Sequence, residues 1–179
     1  MKVVCNIFEM LNLVKFFVLL YNGLMPLETK IARILTRKGK TLAVAESCTG
    51  GLLSHRLTNI SGSSKFFKLG VVTYSNDAKA KMLGISAKVI KKYGAVSREV
   101  ASAMAAGVRK KARADFGVGI SGIAGPTGGT KEKPVGLVFI AVSGKKSNIN
   151  ARCLFKGSRL RVKTQAVTHA LKLILELAS

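Results

Sequence analysis

The stretch Thr41-Leu-Ala-Val-Ala45, followed by Glu46-Ser-Cys-Thr-Gly-Gly51, decides the fold class of this chain. Its first five residues are mostly apolar, as in a short buried strand, and the glycines that follow favour a tight turn. A helical pattern then resumes over residues 52–58. A buried strand that turns directly into a helix is the repeating unit of layered α/β domains.

The same alternation continues along the chain. Strand-like runs cover residues 66–74, 116–121, 135–142 and 148–155. Helical patterns follow Pro26, Asn76, Ser86, Ser97 and Ser158. Because the turn Gly144-Lys-Lys predicts a hairpin between the last two strands, the sheet is not purely parallel. We therefore predict a three-layer α/β/α domain with a mixed, mostly parallel sheet over residues 25–179.

Residues 1–24 differ from the rest because the apolar run 13–21 dominates them. This run is shorter than the roughly 18 to 20 residues that a bilayer-spanning helix needs. Three interpretations stay open: a signal-like region, a membrane-surface helix, and a start codon assigned too early, with Met25 as the true start. We favour the last, and expect no stable membrane insertion.

The composition is globular, but its charge is strongly positive. The chain has 179 residues, 48 % of them apolar, and 30 Lys and Arg against 8 Asp and Glu give a net charge of +22. Such a balance attracts nucleic acid, membrane surfaces or phosphorylated small molecules, and it is equally typical of solvated lysine-rich faces. Since no basic run is interleaved with aromatic residues, a nucleic acid partner is not expected, although the charge leaves it open.

Cysteine and histidine usage argues against a metal site and a disulfide framework. The three cysteines, Cys5, Cys48 and Cys153, are an odd number at wide spacing, and His55 and His169 lie far apart. Neither set has the spacing of zinc ligands. We expect no metal and no cofactor, and a reducing, cytoplasmic location.

The turn that contains Ser47 is the first candidate site. At the start of a helix, free backbone N–H groups favour negative charge, so a serine there could attack a carbonyl while those groups hold the oxyanion. The alternative is that Ser47 or Thr49 only caps the helix.

A second candidate, Tyr74-Ser-Asn-Asp-Ala-Lys79, directly follows a strand. A desolvated lysine with a lowered pKa can act as a general base. The alternative is a strand tyrosine and a solvated helix lysine.

Two further segments are candidates for binding a phosphate. The run 122–129 is rich in glycine and contains Gly125, Pro126 and Thr127, so its backbone N–H groups could hold an anion. It lacks the Gly-Lys-Ser/Thr ending of a P-loop, and a plain turn is the alternative. Arg159, at the start of the last helix, could bind a phosphate through its guanidinium, and an ordinary surface arginine is an equally good interpretation.

Taken together, five segments resemble the CinA C-terminal domain family. They are Ala45-Glu-Ser-Cys-Thr-Gly-Gly-Leu52, Gly70-Val-Val-Thr-Tyr-Ser-Asn-Asp-Ala-Lys79, Gly119-Ile-Ser-Gly-Ile-Ala-Gly-Pro126, Lys133-Pro-Val-Gly136 and Arg159-x-Arg161-x-x-Thr164. They occur in the family's order and spacing, over nearly all of the chain beyond its N-terminal segment.

The resemblance implies a nicotinamide-nucleotide amidohydrolase, which converts nicotinamide mononucleotide to nicotinic acid mononucleotide and ammonia in pyridine nucleotide salvage. It implies Ser47 as nucleophile and Tyr74 and Lys79 as its catalytic partners, without a metal. The backbone near Thr49 and Gly50 would hold the oxyanion. The nucleotide would contact Gly125, Thr127 and Arg159, and a homo-oligomer is expected.

One departure bears on the nucleotide site, because family members commonly have an acidic residue where this chain has Ser158. Two other classes of function stay open. The chain could be a non-catalytic CinA-like binding module, or a basic nucleic-acid-associated protein.

Overall fold

A computed structural model describes residues 25–179, and the interpretations of residues 1–24 lie outside that range. The helices are α1 (Leu27–Arg37), α2 (Leu52–Thr58), α3 (Asn76–Leu83), α4 (Ala87–Tyr93), α5 (Arg98–Ala112) and α6 (Arg159–Ala178). The strands are β1 (Leu42–Glu46), β2 (Phe67–Val72), β3 (Phe116–Gly122), β4 (Leu137–Ser143) and β5 (Asn148–Leu154). A 3₁₀ turn at Ser63–Lys65 precedes β2.

The five strands form one mixed sheet in the order β2-β1-β3-β4-β5. β1 is parallel to both of its neighbours, β2 and β3, whereas β4 is antiparallel to both of its neighbours, β3 and β5. The predicted hairpin between the last two strands is therefore present. Because β1 lies in the middle of the parallel part, all five of its residues are buried.

Helices cover both faces of the sheet. Leu42 and Val44 of β1 pack into the core that α1, α2 and α6 form on one face. Ala43 and Ala45 point to the other face, toward α3, α4 and α5. Successive strand residues point to opposite faces, so a strand buried on both sides reads as a continuous apolar run. The predicted three-layer α/β/α fold is confirmed.

Some predicted strand ends differ from those in the structure. The run 66–74 is a strand only over Phe67–Val72, because Ser75 already accepts a hydrogen bond from the amide of Ala78 as the cap of α3. The run 135–142 becomes a strand only at Leu137, since Gly136 has a φ of +90° that a strand does not tolerate.

Two glycines in β3 let α5 approach the sheet closely. A Cβ atom on Gly117 or Gly119 would collide with backbone carbonyls of α5, those of Ala105 and Ala101. The close approach fixes α5 and the segment that leads into it.

No helix within the described residues is long and apolar enough to span a bilayer.

Candidate active site

The candidate site lies where the parallel strands end. Ser47 follows β1, Thr73 and Tyr74 follow β2, and Gly122 is the last residue of β3. In open α/β sheets, ligands bind in the crevice outside the carboxyl ends of the strands. A pocket of about 250 Å³ opens here, and the glycine-rich segment and Arg159 complete its lining.

Ser47 and Lys79 are in hydrogen-bond contact in this pocket. Lys79 Nζ lies 3.1 Å from Ser47 Oγ, and it donates to the carbonyls of Thr73 at 3.0 Å and Tyr74 at 3.2 Å. The Lys79 side chain is only 1 % exposed, although it begins on the outer helix α3. Burial lowers the pKa of Lys79, because a charged ammonium loses its hydration there. Within residues 25–179, Lys79 has no carboxylate partner to restore its charge.

The carboxylate of Glu46 holds the loop that carries Ser47. Glu46 is fully buried, and it accepts hydrogen bonds from the amides of Gly51, Leu53 and Ser54 and from the Ser54 hydroxyl. These are N–H groups that the start of α2 leaves without helical partners. Glu46 therefore ties the strand end to the helix start and spans the turn between them.

Cys48 stands next to the serine but is not suited to act as the nucleophile. Burial is the main cause that raises the pKa of its thiol, to about 11. The thiolate is the reactive form of cysteine, so a thiol with this pKa is protonated and unreactive near neutral pH. Ser47, by contrast, has a lysine amine within hydrogen-bond reach.

Arg159 connects two sides of the pocket mouth. Its Nη1 donates to the carbonyl of Gly125 at 2.8 Å, and its Nη2 donates to the hydroxyl of Tyr74 at 2.8 Å. Tyr74 thus reaches Lys79 through its backbone carbonyl, whereas its hydroxyl is bound to Arg159. The hydroxyl is not part of the Ser47–Lys79 contact, and the Tyr74 side chain is 59 % exposed.

A family model described as the CinA C-terminal domain matches residues 24–178. The chain belongs to this family. A competence-damage inducible protein of Moorella thermoacetica is 53 % identical over 148 residues, which are 83 % of this chain and 36 % of that relative. A CinA-like protein of Prochlorococcus marinus (strain AS9601) is 50 % identical over 155 residues, 83 % of this chain and 37 % of that relative. This CinA-family chain thus spans about a third of the length of those curated relatives.

Solved structures of the CinA family have the same fold. The competence/damage inducible protein CihA from Agrobacterium tumefaciens superposes with a TM-score of 0.84 and 40 % identity, over 86 % of this chain and 94 % of CihA. A CinA superfamily protein from Escherichia coli superposes with a TM-score of 0.81 and 37 % identity, over 84 % of this chain and 88 % of that one. The resemblance inferred from the five motifs is confirmed.

The structure places the predicted site residues of this CinA domain unequally. Ser47, Tyr74, Lys79, Gly125, Thr127 and Arg159 all line the pocket. Thr49 is fully buried, and Gly50 is outside the pocket lining. The amide of Gly50 donates to the carbonyl of Ser47 at 3.1 Å. The turn uses that N–H to close itself.

Sequence reasoning missed three residues that shape the site. Glu46 lies within the quoted motif, but nothing in its spacing shows that it caps α2. Ser121 and Asn76 also line the pocket. Ser121 could have been noticed as a polar residue at the end of a buried strand, whereas Asn76 begins α3 and has no such signal.

Ser158 has a clear local role. Its side chain caps α6 by accepting a hydrogen bond from the Arg161 amide at 3.4 Å. A serine serves as well as an aspartate at this position of a helix.

Among residues 25–179, no group of three or more His, Cys, Asp or Glu side chains is arranged to hold a metal ion.

Proposed function

We propose that this CinA-family chain is a nicotinamide-nucleotide amidohydrolase in pyridine nucleotide salvage. It would convert nicotinamide mononucleotide and water to nicotinic acid mononucleotide and ammonia, with Ser47 as nucleophile and Lys79 as general base. The observation that carries the proposal is the 3.1 Å contact between Ser47 Oγ and the Nζ of a buried lysine. Serine needs such a base, because its free hydroxyl is a weak nucleophile.

The partners of Lys79 suit both of its protonation states. A neutral amine has two N–H groups and one lone pair, and here two carbonyls accept while the Ser47 hydroxyl faces the lone pair. An ammonium has three N–H groups and donates to the same three oxygens. Lys79 can therefore take the Ser47 proton without any rearrangement of its surroundings.

The reaction then runs in two stages. Ser47 Oγ attacks the carboxamide carbon and Lys79 takes its proton, which Lys79 passes to the departing nitrogen, so that ammonia leaves and an acyl-enzyme ester remains. A water molecule next gives a proton to Lys79 and attacks the ester. The acid product leaves, and the proton returns to Ser47 Oγ.

The loop after Ser47 offers a restricted set of oxyanion donors. The amide of Ser47 donates to the carbonyl of Ile120 at 3.0 Å, and the amide of Gly50 is also in use. We therefore assign the oxyanion to the amide of Cys48, which follows Ser47 directly and lines the pocket. Fixed backbone donors stabilise the charge that develops on the carbonyl oxygen during attack.

The nucleotide part of the substrate would bind at the pocket mouth. The Arg159 guanidinium has five donors and uses two nitrogens on Gly125 and Tyr74, so N–H groups remain for a phosphate. Thr127 lines the same side of the pocket and adds a hydroxyl. The excess of positive charge on the chain favours an anionic substrate over a neutral amide.

The experiment that tests the proposal is ammonia release from nicotinamide mononucleotide by wild type, Ser47→Ala and the control Ser64→Ala. Ser64 is an exposed serine of the 3₁₀ turn, away from the pocket. We expect activity in the wild type and the control and its loss in Ser47→Ala. No ammonia release from wild type would refute the activity, and equal rates in all three would refute Ser47 as nucleophile.

A further inference from the structure

A second buried serine lies beside the proposed nucleophile. Ser121 is 1 % exposed and lines the same pocket as Ser47. In the parallel pairing of β1 and β3, Glu46 is opposite Ile120, so Ser47 and Ser121 are opposite each other one residue later. Neighbouring strands lie about 4.8 Å apart, and residues in register point to the same face. One substrate group can therefore contact both serines.

The Ser121 hydroxyl already donates its proton to a hydrogen bond within the protein. Ser121 Oγ lies 2.6 Å from the carbonyl oxygen of Ala95, in the segment that leads into α5. A carbonyl can only accept, so Ser121 must donate this bond. Its oxygen then presents lone pairs to the pocket and no proton. Ser121 is an acceptor at the pocket floor, although a free serine could act either way.

Three carbonyl acceptors around the pocket already have donors. The carbonyls of Thr73 and Tyr74 accept from Lys79, and that of Gly125 accepts from Arg159. Ser121 Oγ receives no hydrogen bond from any side chain or amide of residues 25–179, so it is available to accept from a bound molecule. The chemical group that suits it is an N–H donor attached to the carbon that Ser47 attacks, which is the –NH₂ of a carboxamide.

We infer that Ser121 determines specificity for the amide, by accepting a hydrogen bond from the substrate –NH₂ while Ser47 attacks the adjacent carbon. This inference rests on the proposed function. An ester has no N–H to donate, so it gains nothing from Ser121. The acid product is a carboxylate, and its oxygens face the lone pairs of Ser121. The same contact that selects the amide therefore favours release of the product.

The test compares two substrates that form the same acyl-enzyme: nicotinamide mononucleotide and the methyl ester of nicotinic acid mononucleotide. The measured quantity is the ratio of kcat/KM for the amide to kcat/KM for the ester. Ser121→Ala is expected to lower this ratio about fivefold, the equivalent of one net hydrogen bond of about 1 kcal/mol. Inhibition by nicotinic acid mononucleotide is expected to become stronger in the same variant.

Ser97→Ala is the matched control. Ser97 is a buried serine that also donates to a carbonyl, that of Gly94 at 2.9 Å, and it anchors the same segment as Ser121. It is outside the pocket lining, so its loss should leave the substrate ratio unchanged. Ser121→Cys serves as a second variant of nearly the same shape, since sulfur is a weak acceptor. It carries the test if circular dichroism shows that Ser121→Ala does not fold.

The outcomes separate this inference from the proposed function. A lower ratio in the Ser121 variants and an unchanged ratio in Ser97→Ala support the inference. An unchanged ratio at Ser121, or an equal drop in Ser97→Ala, overturns it and leaves the amidohydrolase proposal intact. A wild-type protein that hydrolyses neither nucleotide overturns both.

Discussion

Replacement of Glu46 by glutamine tests how the loop that carries Ser47 is held. The Glu46 carboxylate divides its four hydrogen bonds evenly between its two oxygens. Oε1 accepts from the Ser54 amide and hydroxyl at 2.9 and 2.8 Å, and Oε2 accepts from the amides of Gly51 and Leu53, both at 3.1 Å. Glutamine keeps one oxygen and puts an NH₂ group, which cannot accept, in place of the other.

The smaller loss arises when the NH₂ group takes the place of Oε1. The Ser54 hydroxyl can then rotate to accept from it, and only the Ser54 amide is left without a partner. The other placement leaves two amides unpaired. A buried donor without an acceptor costs about 1–3 kcal/mol. We therefore expect Glu46→Gln to lower the free energy of unfolding by about 1–3 kcal/mol, and Tm by roughly 2–4 °C for each kcal/mol.

The assay is urea unfolding of wild type, Glu46→Gln and the control Glu176→Gln, followed by ammonia release at saturating substrate. Glu176 is exposed on α6, so its replacement should change stability by less than about 0.5 kcal/mol. Glu46→Gln should also lower kcat, because Ser47 adjoins the loosened loop. If Glu46→Gln unfolds at the same urea concentration as wild type, the loop does not depend on the Glu46 carboxylate and the reasoning fails.

Four further predictions concern the pocket. Lys79→Met should lower kcat/KM by a factor of about 10²–10⁴, the usual contribution of a general base. The control Lys81→Met, on the exposed side of α3, should leave kcat/KM unchanged. Equal values for the two variants would exclude Lys79 as the base. Activity should rise with pH through the lowered pKa of Lys79, because the base must be neutral to take a proton. The free energy of unfolding should also rise with pH between that pKa and 10.5, since in this range only the unfolded chain still holds the Lys79 proton. A Lys79→Met protein whose stability depends on pH in the same way as wild type would contradict this. Cys48→Ala should keep ammonia release, and iodoacetamide should not inactivate wild type at neutral pH, because the thiol pKa is about 11. Arg159→Gln should raise KM for the nucleotide roughly tenfold to a hundredfold with a smaller effect on kcat, as the loss of a charged hydrogen bond predicts, and an unchanged KM would place the phosphate elsewhere.

Much of the fold follows from local sequence patterns. The buried run of β1, the caps at Ser86, Ser97 and Ser158, and the apolar faces of the helices all act over a few residues, so their positions can be predicted without tertiary contacts. Strand ends are less predictable. The end of β2 at Val72 depends on where the cap of α3 begins, and residues 73 and 74 have the same β-type character as the strand.

The candidate site was predicted as a set of residues, but not as a set of contacts. The motifs point to Ser47, Tyr74 and Lys79, yet the partner of the Tyr74 hydroxyl is Arg159, which lies 85 residues away in the chain. Hydrogen bonds over such distances depend on how the strand ends and α6 pack together. The hydrogen bond from the Gly50 amide to the Ser47 carbonyl is local, but it depends on the left-handed backbone at Gly50. A glycine can adopt this conformation but does not have to, so the sequence does not predict it.

The sequence by itself determined the layered α/β class, the helix starts and the family, because periodicity, caps and ordered motifs are properties of neighbouring residues. Only the tertiary structure decided which groups share the pocket. It buried Lys79 with no carboxylate of residues 25–179 beside it, directed Glu46 to the start of α2, and placed Ser121 in the same pocket as Ser47 through the pairing of β1 and β3. Burial and strand register depend on how the strands and helices pack, and they alone bring this lysine and these two serines, which lie far apart in the chain, into one pocket.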